Sequence, residues 1–135
     1  MKSDSKIEKA IVEKAKELGA SVAGIASVDD LKASKSYEIY DKSPFYAEYK
    51  RVEWREEHKS ILVWALVHPA SEPELDWWSL KVPGFTPGNG VMRMQSRKLR
   101  VWMGEDLGIS ALSLPYQIEY GGAFLKDSAA LAGLG

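Results

Sequence analysis

The chain of 135 residues contains no cysteine and only two histidines, His58 and His68. The first absence excludes disulfides, thiolate catalysis and any cysteine-ligated iron–sulfur cluster held by these residues alone. The second leaves too few imidazoles for a histidine-based zinc site. No apolar run approaches the roughly 20 residues that span a bilayer, and the opening Met1-Lys2-Ser3-Asp4-Ser5 lacks an apolar signal core. The expectation is therefore a cytoplasmic protein with no membrane partner. Charge of one sign is lacking too: a formal net charge of -1 gives no global field toward nucleic acid or an anionic surface. No Gly-x-Gly-x-x-Gly follows a strand, and the Gly84–Gly90 stretch lacks the Lys-Ser/Thr ending of a phosphate-binding loop. A turn leading into a helix is the reading preferred there.

What is present suffices for a packed core. Hydrophobic residues make up 45% of the chain, with five Trp, and the length fits a single domain over 1–135. Ser5 and Glu8 form a capping-box pattern, followed by Ile7, Ile11, Ala15 and Leu18 at helical spacing and a terminating Gly19. Residues 21–26 read as a short buried strand whose Gly and Ala point to close approach of another backbone or a ligand. Asp29-Asp30 is placed to cap a helical turn. Residues 34–59 are polar and aromatic, and read as short helices or ordered loop. Residues 59–67 form the clearest strand, apolar enough to predict burial on both faces. A proline-rich loop with Trp77-Trp78 follows. A second long helix is expected from Asn89 or Gly90 to Gly108, then a strand within 109–118 and a last helix opened by Asp127. This order predicts an α/β or α+β layer fold.

Asp127 precedes Ser128-Ala129-Ala130-Leu131, a good N-cap context. A helix N-terminus favours the charged form of a carboxylate, whereas a general acid calls for an apolar, desolvating pocket. Capping and a site role are compatible. Tyr116 and Tyr120 offer phenols upstream, more ordinarily packing groups with a hydrogen-bonded tip. Trp77-Trp78 suits a flat macrocycle, a loop anchor or a partner patch. Arg93, Arg97, Lys98 and Arg100 lie along one helix, ordinarily a solvated face, alternatively one that meets a cofactor phosphate or an RNA backbone. His68 closes the long strand where α/β sheets often place ligand contacts; His58 has no assigned role.

Three segments, Leu18–Ala26, His58–Leu66 and Phe124–Ala129 leading to Ala132-Gly133-Leu134-Gly135, resemble in order the epoxyqueuosine reductases and related corrinoid iron–sulfur reductases. The third carries the resemblance. It implies a nitroreductase-related, cobalamin-binding domain, the N-terminal part of a larger protein whose iron–sulfur clusters lie in a following ferredoxin-like domain. It further implies Asp127 as proton donor, with Tyr116, Ser128 and Ala129 toward the cofactor. The expected partners are that downstream domain or an electron-donor protein. A homodimer and tRNA are alternatives, as is FMN for the cofactor. Two departures separate this chain from the family. Ala130-Leu131 replaces a longer helix, and the Asp-Tyr-His run before the second long helix is missing, which points to a divergent relative. A protein-interaction domain on the same fold is the competing expectation.

Overall fold

The structure is a computed structural model that describes residues 2–67, 69–77 and 86–135. His68 and Trp78, singled out above, lie outside the described residues. The described chain holds helices α1 (Lys2–Glu17), α2 (Val28–Lys32), α3 (Lys35–Lys42), α4 (Pro87–Leu107) and α5 (Leu125–Leu131), with strands β1 (Val22–Ser27) and β2 (Ser60–Ala65). Single 3-10 turns occupy Pro44–Tyr46 and Pro73–Asp76. This is a mixed α+β architecture.

The two long helices, α1 and α4, stop at glycine. After α1, Gly19 takes φ 111°. Ala20 N–H then reaches the Ala15 carbonyl while Gly19 N–H reaches that of Lys16, both at 3.0 Å, the paired bonds of a Schellman ending. Gly108, at φ 65°, ends α4 in the same left-handed region. The helix starts differ from the sequence pattern. Helix α1 begins ahead of Ser5, so Ser5 and Glu8 sit inside it and form no capping box; Asp4 in the first turn complements the dipole instead. Asp29 and Asp30 lie in the first turn of α2, whose cap is Ser27, with its hydroxyl accepting from Asp30 N–H. Helix α4 starts at Pro87 with Thr86 as cap, Thr86 Oγ1 accepting from Asn89 N–H at 3.1 Å.

Strands β1 and β2 run antiparallel as a two-stranded sheet. Ser21 N–H donates to the Ala65 carbonyl at one end and Val28 N–H to that of Lys59 at the other. The expected burial of β2 on both faces is not found: Ile61, Leu62, Val63 and Trp64 are each only half-buried. With one neighbouring strand, β2 is an edge, and its apolar run is covered in part on each side. The strand expected within 109–118 is also absent. Those described residues are irregular, Leu112 and Tyr116 face solvent, and Pro115 has no N–H for a ladder. An isolated bridge joins Lys50 and Tyr120 further on.

The chain clusters into two compact units, Met1–Val22 with Trp64–Ala111, and Ala23–Val63 with Leu112–Gly135. In the first, α1 packs on α4, with Ile11, Ala15, Leu99 and Met103 buried. Gln95 is buried there as well, and both ends of its amide are satisfied. Trp64 Nε1 donates to its Oε1 at 3.1 Å, and its Nε2 donates to the Leu18 carbonyl at 3.3 Å. In the second unit α2 packs against α3 and α5. Leu31, Tyr37, Tyr40 and Ala123 make its core, with Tyr46, Tyr49, Trp54 and Phe124 packed around them.

Candidate functional site around Asp127

The candidate residues fall in the second unit, where α5 begins earlier than its sequence suggests. Phe124 occupies the N-cap position with no side-chain cap, and Asp127 is in the first turn. The capping role expected of Asp127 is therefore corrected. Its carboxylate instead accepts from Ser36: Ser36 Oγ donates to Asp127 Oδ1 at 2.8 Å, tying α3 to α5 across 91 positions of sequence. The acidic group still complements the N-terminal half of the helix dipole.

Ser128 turns the other way. It is 0% exposed, and its Oγ donates to the Phe124 carbonyl at 2.7 Å, a back-bond within its own helix. Ala129 is half-buried. Tyr116 is 72% exposed and Tyr120 is also exposed. The structure thus places Asp127 and Ser128 on the same turn with opposite surroundings, and it does not gather Tyr116, Ser128 and Ala129 into one lining.

At two glycines of this unit the space is filled by protein. A Cβ on Gly122 would lie 2.5 Å from the Pro115 carbonyl oxygen, and one on Gly24 would lie 2.6 Å from that of Ala132. The close approach expected for β1 is therefore made by a backbone. It is the start of the Ala132-Gly133-Leu134-Gly135 run that comes against it.

Beneath Asp127 lies an aromatic cluster that sequence reasoning saw only as an aromatic-rich stretch. Tyr37 meets Phe124 edge to face at 4.9 Å between centroids, and Tyr40 meets it at 5.3 Å. Both phenol oxygens are buried without a hydrogen-bond partner. Burial pushes the Tyr37 phenol up to about 12; the nearby Phe124 backbone opposes this, out of hydrogen-bonding geometry, and Tyr40, Asp41 and Asp127 add to it. Tyr40 is raised as well, chiefly by desolvation, with Arg51 pulling the other way. The Arg51 guanidinium lies 4.0 Å from the Tyr40 ring centroid. It also bonds Asp41 Oδ1 at 2.6 Å and the Tyr40 carbonyl at 3.1 Å. Ser36, Asp41 and Arg51 were missed because no local motif marks them; the spacing of Tyr37 and Tyr40 on one face of α3 was the available signal.

Chemically, this arrangement presents one carboxylate, oriented by a hydroxyl, above two phenols that stay neutral at physiological pH. The phenols cannot act as bases there. Among the described residues no three His, Asp or Glu side chains are grouped to hold a metal ion, and no helix is long and apolar enough to cross a membrane.

Compared with known proteins, the chain matches no family model, no curated protein and no solved structure.

Proposed function

We propose that this chain is the cysteine-free domain of a cytoplasmic iron–sulfur oxidoreductase resembling the epoxyqueuosine reductases, on a nitroreductase-related fold. It would work with a cluster-bearing domain or an electron-donor protein. The observation that carries this reading is the hydrogen bond from Ser36 to Asp127, which orients the carboxylate that the resemblance marks as proton donor. The absence of cysteine supports the dependence on a partner, since no cluster can be ligated here.

The residues suit a corrinoid only in part. Ser128 is sealed in the core with its hydroxyl spent inside α5, so it touches no ring. Gly24 and Gly122, which could have bared backbone to a ligand, are packed against carbonyls. Only Asp127, half-buried Ala129 and exposed Tyr116 remain to face a cofactor.

The test is a titration of the folded chain with oxidised and reduced cobalamin, with FMN as control, following the visible spectrum. Saturable change with cobalamin, weakened in Ala129→Trp, is the expected result. No change with either cofactor, in protein shown by circular dichroism to be folded, would overturn cofactor binding by this chain. A second reading, a protein-interaction domain, is favoured by the exposure of large aromatics: Phe45, Trp77, Tyr116 and Tyr120 all face solvent. Colourless protein that binds neither cofactor would leave that reading standing.

A further inference from the structure

Helix α5 closes over the aromatic cluster of the second unit, and how firmly it does so is independent of whether a corrinoid binds. A helix of seven residues has little stability of its own, since isolated helices shorter than about 12–15 residues are marginal in water. It must be held by packing. Yet the one buried residue of α5 is Ser128, whose hydroxyl is bonded within its own helix. Leu125 and Leu131, its large apolar side chains, are 43% and 44% exposed. Its N-terminus has no side-chain cap, and its last turn has no basic residue to meet the dipole. The contacts that hold it are packing on α2, the Ser36–Asp127 bond, the Phe124 ring seated on Tyr37 and Tyr40, and the approach of Ala132 to Gly24.

The seat of Phe124 opposes its own closure. The two phenol hydroxyls beneath it are buried without a partner, and water would supply the hydrogen bonds they lack, so the closed state carries the penalty of unpaired buried hydroxyls. Glycines in the left-handed region flank the helix, Gly121 at φ 97° and Gly133 at φ 79°. Gly122 is wedged between the Pro115 and Gln117 carbonyls, which anchors the chain just before Phe124. We propose that Phe124–Ala132 is a lid, which lifts as one piece while the rest of the unit stays folded. Lifting separates Asp127 from Ser36 and bares Tyr37, Tyr40 and the backbone of Gly24. The carboxylate is in place over the phenols only when the lid is down, so closure assembles the site, as lids and loops commonly do. Segments that move in this way come from the least stable parts of a fold.

The experiment is native-state hydrogen exchange on the full chain, followed by NMR at neutral pH in low, rising urea. The Ser128 and Ala132 amides, bonded to the Phe124 and Ser128 carbonyls, report on the lid. The Val28 amide, bonded to the Lys59 carbonyl, reports on the rest of the unit. After correction for intrinsic rates, the two lid amides are expected to exchange at least about tenfold faster than Val28. They should share one urea slope, smaller than that of Val28 and greater than zero. Tyr37→Phe keeps the ring and removes a hydroxyl that the lid buries, so it should slow both lid amides about three- to fivefold. The proposal is overturned if the lid amides are protected as strongly as Val28, or if they show no urea slope, the mark of fraying residue by residue. Unchanged lid exchange in Tyr37→Phe would overturn it as well, because the phenol would then stay dry when α5 opens.

Discussion

At the scale of single residues, the second unit is unusual in burying two phenols whose hydroxyls find no partner. A buried polar group without a hydrogen bond raises the free energy of the folded state, so trimming it is not destabilising in the ordinary way. Tyr37→Phe is therefore expected to be neutral or stabilising by up to about 1 kcal/mol in a urea titration, where loss of a well-bonded hydroxyl would destabilise. The same substitution has a signature in alkali. The folded state holds the Tyr37 proton up to about pH 12, against the ordinary 10.0. The stability this represents is intact below about pH 10 and is lost as pH rises through the folded value. Its extent is on the order of 2 kcal/mol. Tyr37→Phe should flatten the alkaline limb of a stability-versus-pH profile, and an unaltered limb would show that the decline comes from other groups.

Gln95 is the opposite case, a buried amide with both ends bonded. Gln95→Leu keeps the volume but strands the Trp64 indole N–H and the Leu18 carbonyl. The expected loss is about 1–3 kcal/mol, seen as a lower urea midpoint.

At the scale of elements, β1 lies tight against the residue that follows α5. Gly24 has no room for a side chain, because a Cβ there would stand 2.6 Å from the Ala132 carbonyl oxygen. Gly24→Val should push the two apart, at a cost of about 1–3 kcal/mol or more. Thermal unfolding would register it, and the Ser36–Asp127 bond would be strained in the same variant. Substitution at Gly104, where nothing lies within 4 Å, is the matched control.

The elements also show where the sequence could be read and where it could not. Helices α1 and α4 were legible because apolar positions recur at helical spacing and Gly19 and Gly108 stop them. Strand β1 was legible from its small residues, and even the need for a close neighbour was visible in Gly24. The helix starts were less so: Ser5 reads as a cap, and a sequence pattern does not say whether the chain before it adds another turn. The irregular course of 109–118 was hidden because its apolar residues suit a strand, while pairing depends on a neighbour that local sequence does not name. For the candidate site, Asp127 was visible, but its partner Ser36 was not, since hydrogen bonds between distant segments leave no mark on spacing. Ser128 looked available because its type suits a ligand contact. Its burial follows from the packing of α5 on α2, which no window of sequence contains.

At the scale of the whole molecule, both units are built from interrupted chain. Residues 64–111 of the first unit are inserted between the two segments of the second, and residues 23–63 of the second lie between those of the first. The bond from Ser36 to Asp127 spans 91 positions. Such pairings form late, because a long loop must close before they contribute anything. The interleaving has a consequence for synthesis. A chain emerging from the ribosome at about 5–20 residues per second exposes Tyr37, Tyr40 and the apolar side of β1 well before Phe124 and α5 arrive to cover them. For several seconds those aromatics have no native neighbour from the far segment, and the nascent polypeptide presents its stickiest surface to whatever chaperone is at the exit tunnel.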